Sequence, residues 1–591
     1  MDYLKLTTFY EQLEKTSKRL EKTEILAKLL KELRAEDSDA VINLLQGSVF
    51  PTWDERKLGV SDKLVLKALA TSTGISPEVI EEKLVKVGDL GEIAAQLVEK
   101  KKQTTLHSHK LTVDFVYTTI RNLASLEGEG TVQKKVGLIS ELLTSAQPVE
   151  AKFIVRTLLE QLRVGAAEGT LRDAMIWAFF REKLKLTYDV KENQVTIPEE
   201  HKKQYEQYAE KIQHAYDLTN DFAEVFRIVK ENGIGSLDRV SLKVGKPINM
   251  MLFQKAQNIH EAFDMVGKPA AFEYKYDGFR LQIHNAKGQI MLFTRRLENV
   301  TKQFPDVVEI IKKHVKTENF ILDAEVIGID PKTKKWLSFQ HISQRIKRKY
   351  DIEDLAKKIP IMVNVFDVIQ FDGKGVLDLP FKERRYILEK IVQTVPEKIQ
   401  PAKEIVTEDP VAAEAFYQEA LALGNEGIMA KNLDGIYKPG SRVGYGVKVK
   451  PILETLDLTI TGATWGSGKR AQWLSSFTVA CLTKDKQGFL DLGQVGTGIK
   501  EKSEEGTSFE ELTALLKPHI LKSEGTSVRV KPTIVLEIAY EEIQKSDTSS
   551  SGYSLRFPRL VGIREDKPVR EASTLEDVEK IYFMQRSRHL K

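Results

Sequence analysis

The sequence contains a single cysteine, Cys481, among its 591 residues. One cysteine excludes an internal disulfide framework and any zinc site built on several cysteines, and it is typical of a reducing compartment. The sequence has no run of about 18 apolar residues, and residues 1–6 lack the basic-then-apolar order of a secretory signal. We therefore expect a cytoplasmic protein without a membrane segment.

An excess of charge of one sign is also lacking, because 89 lysines and arginines face 85 aspartates and glutamates, leaving a formal net charge of +4. Such a small excess does not identify a polyanion partner, which has to be argued from where the charges lie. With 41% hydrophobic and 29% charged residues, the composition is typical of a folded globular protein. Single cores stop growing near roughly 250–300 residues, so the length predicts several domains.

Helical periodicity dominates the first part of the chain. Apolar residues recur three and four positions apart, as at Phe9 and Leu13, with charged residues between them. Helix starts are indicated at Ser76-Pro77, a capping serine before a proline, and at Thr170, ahead of an apolar stretch. We expect an all-helical domain over residues 1–230.

Glycines 233, 235 and 245, followed by Pro247, indicate a connection to a second domain. Beyond it, short runs rich in β-branched and aromatic residues alternate with helical stretches. The predicted strands are 272–283, 290–294, 320–329, 361–369 and 427–431, and the predicted helices are 304–314 and 381–392. This mixture predicts an α+β domain over residues 231–451.

After Pro451 the pattern becomes mostly β. The predicted strands are 456–463, 475–483, 489–496 and 533–540. One helix is predicted among them, opened by a capping box between Ser508 and Glu511. This order predicts a small OB-type β-barrel over residues 452–591, a fold often used on nucleic acid, with a β-sandwich as the alternative.

The first chemistry-bearing run is Lys275-Tyr276-Asp277-Gly278-Phe279-Arg280. The lysine is predicted at a strand end, next to a glycine that lets a substrate phosphate approach the backbone. A lysine amine becomes a nucleophile once it has lost its proton, and neighbouring cations favour that loss. An ordinary surface turn with a solvated lysine is the alternative, because short motifs also occur by accident.

Further runs downstream carry residue types that nucleotidyl transfer uses. They are Thr294-Arg295-Arg296, Phe320-Ile321-Leu322-Asp323-Ala324-Glu325, Val365-Phe366-Asp367, Glu426-Gly427-Ile428-Met429-Ala430-Lys431 and Gly446-Val447-Lys448-Val449-Lys450. A carboxylate such as Glu325 in an apolar strand requires a partner, for which a core arginine is an alternative. Strand alternation places Lys448 and Lys450 on one face, which suits contact with a triphosphate, although lysines also protect ordinary edge strands.

In this order the runs resemble those of the covalent nucleotidyltransferase superfamily, and most closely the ATP-dependent DNA ligases of archaeal and eukaryotic replicative type. The resemblance covers essentially the whole chain. It implies that Lys275 attacks the α-phosphate of ATP and carries AMP while nicks in duplex DNA are sealed in replication, repair and recombination. It implies nucleotide contacts by Glu273, Arg280, Arg295, Glu325, Phe366, Arg442, Lys448 and Lys450, and a Mg²⁺ site at Glu325 and Glu426, with Mn²⁺ as an alternative ion.

The resemblance also implies contacts outside the central domain. Residues 162–169 would contact DNA phosphates from the helical domain, and residues 465–470 would do so from the barrel. The basic segments 556–559 and 564–567 resemble the family's last element, which closes over the nucleotide. Residues 100–107 lie where related archaeal ligases bind a sliding clamp, but they lack the expected aromatic pair. The implied working form is a monomer on nicked DNA, associated with the nucleoid.

Several other functions remain as alternatives. An RNA ligase or an mRNA capping enzyme shares the lysine chemistry, but the helical first part of the chain argues against both. An NAD-dependent ligase is disfavoured because its four-cysteine zinc module cannot be built around Cys481 alone. A non-catalytic scaffold would be expected to lose Lys275, Glu426 or Lys448, all of which are present.

Overall fold

The computed structural model describes residues 1–54, 56–100, 110–337, 341–342, 345, 352–440, 442–451, 455–501 and 506–585. The chain divides into two compact units. The first comprises Met1–Pro77, Gly91–Ala420 and Asn425–Lys450, and the second comprises Glu78–Leu90, Leu421–Gly424 and Pro451–Lys591. No helix in the described part of the chain combines the length and the apolar character needed to span a bilayer.

Helices dominate the part of the chain that was predicted to be helical. They are α1 Tyr3–Lys15, α2 Arg19–Glu32, α3 Ala35–Leu45, α4 Asp62–Thr73, α5 Pro77–Val87, α6 Leu90–Glu99, α7 Val113–Leu123, α8 Thr131–Ser145, α9 Pro148–Leu158, α10 Glu168–Phe180, α11 Glu199–Thr219 and α12 Phe222–Asn232. Helix α5 begins at Pro77, as predicted. Helix α10 begins at Glu168, so the prediction of a start at Thr170 is two residues late.

A β-hairpin interrupts this helical region and was not predicted. It pairs β1, Thr187–Asp189, with β2, Gln194–Thr196. The Asp189 side chain accepts hydrogen bonds from the backbone N–H groups of Lys191 and Glu192, and Asn193 adopts a φ of 50°. These hydrogen bonds and this backbone conformation are typical of tight turns. They depend on single residues, which helical periodicity does not reveal.

Two β-sheets form the α+β region. Their strands are β3 Leu252–Ala256, β4 Ala270–Lys275, β5 Phe279–Ala286, β6 Gln289–Thr294, β7 Asn319–Ile329, β8 Trp336–Leu337, β9 Ile361–Phe371, β10 Lys374–Gly375, β11 Ile399–Pro401, β12 Glu404–Thr407, β13 Gly427–Asn432 and β14 Arg442–Val449. Sheet A has the order β10-β9-β7-β5-β6, with β8 paired to β7 and β11 paired to β9. Sheet B has the order β12-β4-β13-β14-β3.

The helices of this region are α13 Ile259–Val266, α14 Pro305–His314, α15 Ile352–Lys358, α16 Phe381–Ile391 and α17 Pro410–Ala422. The prediction of one strand over 272–283 is wrong, because the turn after Lys275 divides it into β4 in sheet B and β5 in sheet A. Aromatic residues on both sides of that turn give the whole segment 272–283 the composition of one strand, which explains the wrong prediction. Lys275 therefore ends a strand at the point where the chain passes from one sheet to the other.

Strand alternation gives each sheet an apolar face that forms a core. In sheet A, Leu281 and Ala324 lie opposite each other and are fully buried, as is Val365 on the next strand. In sheet B, Phe272 and Val447 pack in a separate core. Because successive side chains point to opposite faces, residues one position away, such as Glu273 and Arg280, belong to the other face of their sheet.

The second unit is rich in strands, as predicted. They are β15 Leu456–Trp465, β16 Leu474–Leu482, β17 Phe489–Val495, β18 Ile520–Glu524, β19 Ser527–Val530, β20 Val535–Ala539, β21 Glu542–Lys545, β22 Tyr553–Arg556 and β23 Arg559–Ile563. The long strand β15 pairs with β16 along one edge and with β19 and β20 along the other. Helix α18 Phe509–Leu516 is the predicted helix between strands, whereas α19 Leu575–Met584, which follows the last strand, was not predicted.

Helix α18 begins at the predicted capping box. The Ser508 hydroxyl accepts from the Glu511 backbone N–H at 3.1 Å, and the Glu511 carboxylate accepts from the Ser508 backbone N–H at 3.2 Å. Ser508 is fully buried, and Phe509, Leu512 and Leu516 of the helix enter the core of the unit. The cap thus sets where this core helix starts.

We expect the substitution Ser508→Ala to destabilise the start of α18 by about 1 kcal/mol, because two backbone N–H groups lose their reciprocal arrangement. The measurement is hydrogen exchange of a peptide covering residues 509–516, whose protection should fall about fivefold. The control is Glu510→Ala, an exposed first-turn residue outside the cap. Equal losses in the two variants would contradict the role given to the cap.

Candidate active site

Lys275 lies in a cluster of charged groups at the end of β4. Its Nζ is 2.6 Å from Oε2 of Glu426, and the Nζ of Lys450 is 2.5 Å from the same oxygen. The Glu426 backbone N–H also donates to the Lys275 carbonyl oxygen at 2.8 Å. One buried carboxylate therefore holds two lysines that the sequence predicted to act on the same triphosphate.

The register of sheet B brings these residues together. Lys275 pairs with Gly427, and Met429 pairs with both Glu273 and Lys448, so all of these positions lie on one face. Gly427 has a φ of 139°, and a Cβ there would meet the carbonyl oxygen of Val449 at 2.1 Å. Only glycine fits this close approach, which places Glu426 directly beside the end of β4.

A second glycine shapes the turn after Lys275. A Cβ at Gly278 would lie 2.2 Å from the carbonyl oxygen of Val326 on β7. The turn therefore lies against sheet A without room for a side chain. The close neighbour of this glycine in the structure is another strand, and the approach of a substrate phosphate stays a prediction.

Glu325 is the second carboxylate of the cluster. It lies on β7, opposite Arg280 on β5. Burial raises the pKa of Glu325 from its ordinary 4.5 to about 8; Glu426 also raises it, while Lys275 and Arg280 lower it. Two carboxylates that disfavour each other's charge suit a bound cation, and Mg²⁺ is usually held by one or two carboxylates together with substrate phosphates.

The predicted metal site consists of these two carboxylates alone. Among the described residues there is no group of three or more histidine, cysteine, aspartate or glutamate side chains placed to hold an ion. An ion at Glu325 and Glu426 would therefore take its remaining ligands from nucleotide and water, which is the usual arrangement for Mg²⁺.

Arg280 is engaged by the protein itself. Its Nε donates to Asp323 at 2.9 Å, its Nη2 donates to the second oxygen of Asp323, and its Nη1 donates to the Met251 carbonyl oxygen at 3.0 Å. The buried Tyr437 hydroxyl also donates to Asp323, at 2.8 Å. This network fixes the guanidinium 5.0 Å from the centre of the Phe366 ring. A direct nucleotide contact by Arg280 stays a prediction.

Phe366 lies at an irregularity in β9. Asp323 pairs with Asp367 and Ala324 with Val365, so Phe366 is an extra residue without a partner on β7. Bulges of this kind redirect side chains beside functional sites. The ring lies near two cations, since the Nζ of Lys431 is 5.2 Å from its centre and Arg280 also lies near it.

Glu273 is 2% exposed and is held by two cations that were not predicted. Lys431 lies 2.6 Å from its Oε2, and Arg385 of α16 lies 3.4 Å from its Oε1. A buried carboxylate requires such partners. A glutamate in an apolar strand therefore indicates that cationic side chains from other elements pair with it. Which cations these are depends on the register of β13 and the position of α16, which sequence does not give.

The structure describes only some of the remaining predicted residues. Arg295 is exposed in the turn that follows β6, whose last residue pairs with Leu281 beside Arg280. Arg442 begins β14, but its side chain lies outside the described residues, as do residues 101–107 of the expected clamp segment 100–107. In the second unit, Arg564 and Lys567 of the last basic segment both pair with Asp457.

These contacts form a charged cluster around Lys275 in the α+β region. The family described as ATP dependent DNA ligase domain matches residues 250–450, DNA ligase N terminus matches residues 2–176, and ATP dependent DNA ligase C terminal region matches residues 470–567. The chain belongs to the ATP-dependent DNA ligase family.

Relatives extend over the full length of the chain. A DNA ligase of Nanoarchaeum equitans is 48% identical over 99% of both chains, and one of Thermococcus onnurineus is 41% identical over 99% of this chain and 98% of its own. The solved structure described as Pmar-Lig_PreS3 covers 95% of this chain and 99% of its own, with a TM-score of 0.56 and 15% identity. That likeness shows the fold alone.

The raised pKa of Glu325 predicts a pH-dependent stability. The folded chain keeps the proton up to about pH 8, whereas the unfolded chain releases it near 4.5, so the folded state binds more protons between these values. Stability from this group is therefore lost as the pH rises through that window. We expect the melting temperature of the ligand-free protein to fall relative to that of Glu325→Gln between about pH 5 and pH 8.

The control for this measurement is Glu318→Gln, a change at an exposed glutamate just before β7. The difference in melting temperature between Glu325→Gln and the unchanged protein should vary with pH. The difference in melting temperature between Glu318→Gln and the unchanged protein should not. A constant difference for both variants would show that Glu325 is not shielded from solvent as the structure indicates.

Proposed function

We propose that Lys275 is the nucleophile with which this ATP-dependent DNA ligase forms a covalent lysyl-AMP. The observation that supports this most strongly is the arrangement of Lys275 and Lys450 on one oxygen of Glu426. The shared oxygen holds the Lys450 ammonium group beside the Lys275 amine. The same ammonium group is available to phosphate oxygens when nucleotide enters.

In the first step the Lys275 nitrogen attacks the α-phosphorus of ATP. An N–P bond forms, the bond from the α-phosphorus to the bridging oxygen breaks, and pyrophosphate leaves with the electron pair. The amine loses a proton to the surroundings. Lys448 and Lys450 neutralise the negative charge that grows on the leaving pyrophosphate, which is an electrostatic contribution to the transition state.

The other predicted residues bind and orient the nucleotide. Phe366 offers its ring to the flat base, and Glu273 accepts a hydrogen bond from it. Arg295 and Arg442 contact the ribose or phosphates as fixed forks of donors. Arg280 holds the Phe366 side of the pocket through its pair with Asp323.

We propose that Glu325 and Glu426 hold a Mg²⁺ ion, with Mn²⁺ as an alternative. The support is the mutual proximity of two carboxylates, one of them with a strongly raised pKa. Such an ion neutralises phosphate charge and helps to orient the in-line displacement. Glu426, which pairs with Lys275, would be one of the two residues that hold the ion.

Two further transfers complete the proposed reaction. An oxygen of a DNA 5′-phosphate attacks the lysyl-bound phosphorus and frees the Lys275 amine. The neighbouring 3′-hydroxyl then attacks the 5′-phosphorus, releasing AMP and a proton. We propose a helical DNA-binding domain at 1–230, an adenylation domain at 231–451 and an OB-type domain at 452–591, which bind nicked DNA mainly through phosphates. We also propose a monomer that acts in the cytoplasm, with a sliding clamp as a candidate partner.

The substitution Lys275→Ala should abolish transfer of label from α-labelled ATP to the protein, because no other group can form the N–P bond. The same variant should still seal a nick that already carries AMP on its 5′-phosphate, since that last step does not use the amine. The control is Lys287→Ala, an exposed lysine in the turn after β5, which should retain both activities. Label that survives Lys275→Ala would exclude Lys275 as the nucleophile.

A second experiment distinguishes a DNA ligase from an RNA ligase that uses the same lysine chemistry. Labelled enzyme is offered nicks in duplex DNA or the same nicks in which the broken strand is RNA. We expect the DNA nick to be sealed much faster, because the helical first region adds a large surface for duplex DNA. Faster sealing of the RNA nick would contradict the assignment of substrate while leaving the lysine chemistry intact.

A further inference from the structure

Four polar side chains form a row across sheet A, on the face that carries Arg280. Arg280 on β5 lies opposite Glu325 on β7, which in turn lies opposite Asn364 on β9. Gln400 on β11 completes the row, because it pairs with Asn364 from the other side. Directly opposed residues of antiparallel strands have Cβ atoms about 5 Å apart on one face. The row therefore places Asn364 beside one of the carboxylates in the charged cluster around Lys275.

Asn364 is an amide in an otherwise apolar part of β9. Its neighbours Val363 and Val365 are fully buried in the core on the other face of the sheet, and Asn364 itself is 0% exposed. A polar group is costly to bury in such a place unless it finds hydrogen-bond partners. The position therefore requires a partner at each end of the amide.

The oxygen end of the Asn364 amide has its partner. Oδ1 accepts a hydrogen bond from Nε2 of Gln400 at 2.9 Å. Gln400 also hydrogen-bonds the Tyr276 hydroxyl, which accepts from the Lys403 backbone N–H at 3.0 Å. The oxygen of Asn364 is thus fixed toward β11, so its Nδ2 is directed to the other side, toward β7 and Glu325.

The nitrogen end of the same amide has no such partner. Nδ2 is buried and makes no hydrogen bond within the described part of the chain. An unsatisfied buried donor costs about 1–3 kcal/mol. The residue opposite it on β7 is Glu325, whose carboxylate can accept several hydrogen bonds when ionised. A small rotation of the Glu325 side chain would satisfy the donor.

We infer that Asn364 is a positioning residue for Glu325, and that its Nδ2 donates a hydrogen bond to the Glu325 carboxylate when that carboxylate holds the cation of the nucleotide. This rests on the proposed function, in which Glu325 and Glu426 hold the cation. Carboxylates that bind metals are usually hydrogen-bonded themselves, and loss of such a donor typically weakens metal binding about 10–100-fold. Asn364 would thus favour one orientation of the Glu325 side chain over the others.

The probe is Mn²⁺, whose binding to the full chain is measured from the electron paramagnetic resonance signal of the free ion. The protein is first freed of AMP with pyrophosphate. It is then saturated with an ATP analogue that has a methylene group between the α- and β-phosphates, so that no AMP is transferred. In Asn364→Leu, which has a similar shape but no donor, the Kd for Mn²⁺ should rise about tenfold. The Kd for the analogue, measured with EDTA present, should stay unchanged.

A double-mutant cycle tests whether Asn364 acts through Glu325. Glu325→Gln should itself raise the Kd for Mn²⁺, and Asn364→Leu added to it should raise the Kd no further, because the carboxylate that the amide orients is gone. An equal rise in both backgrounds would overturn the inference, since Asn364 would then act independently of Glu325. A weaker binding of the analogue without an ion would also overturn it, because Asn364 would then contact the nucleotide.

The matched control is Gln370→Leu, which removes another buried amide from β9. Gln370 lies opposite Ile321, and its Nε2 donates to the Leu242 carbonyl oxygen at 3.4 Å, so it faces no carboxylate across β7. Its Kd for Mn²⁺ should equal that of the unchanged protein, even where its melting temperature falls. A rise in this Kd as large as that of Asn364→Leu would overturn the inference.

Loss of one half of a buried amide pair can prevent folding, so the double variant Asn364→Leu with Gln400→Leu, which removes both halves, is measured as well. It should show the same rise in the Kd for Mn²⁺ as Asn364→Leu. An unchanged Kd in both Asn364 variants would contradict the role given to this amide. If the unchanged protein binds no more Mn²⁺ than the analogue alone does, the proposed ion site is wrong instead.

Discussion

The pairing of Lys275 and Lys450 with a single oxygen of Glu426 is the interaction on which the site depends. It connects three adjacent strands, because Lys275 ends β4, Glu426 precedes β13 and Lys450 follows β14. Such a contact requires the backbones to approach closely, and Gly427 makes that possible where any side chain would meet the Val449 carbonyl. The contact therefore needs the charges, the glycine and the strand order together, and loss of any of them would separate Lys275 from Glu426 and Lys450.

Two arginines of the central region are held in ion pairs with buried aspartates. Arg280 with Asp323 and Arg384 with Asp367 each combine an ion pair with hydrogen bonds to backbone carbonyl oxygens. Breaking such a buried pair by removing one partner costs about 3–5 kcal/mol. These pairs join β5 to β7 and α16 to β9, and so help to hold sheet A in one arrangement.

The sequence predicted correctly whether most segments are helices or strands. The residues of 320–329 have the pattern of a strand, and the apolar residues of 304–314 have the spacing of a helix. The order of the runs also included Lys275, Glu426 and Lys450, whose side chains the structure brings into contact. It missed the division of 272–283 into two strands, because the aromatic residues on both sides of the turn continue a strand-like composition. Sheet order was not predictable either, since β4 lies between strands that come much later in the chain.

The contacts missed at the site have the same origin. Lys431 belonged to a run that was already identified, but only the register of β13 shows that it reaches Glu273. Arg385 lies on a helix whose surface positions resemble any charged helix in sequence. The pairing of Arg280 with Asp323 instead of solvent depends on two strands separated by β6 and α14 along the chain. Partners across strands follow from tertiary structure, which local patterns do not contain.

The order of strands in sheet B has a consequence for how the protein is made. β4 ends at Lys275, yet both strands that hydrogen-bond to it, β12 at 404–407 and β13 at 427–432, leave the ribosome long after it. Until then β4 has two unpaired edges and an apolar face without a core, a state that favours aggregation. The growing chain therefore holds Lys275 in an unfinished sheet for most of the synthesis of this domain, and the site forms only after Lys450 has emerged.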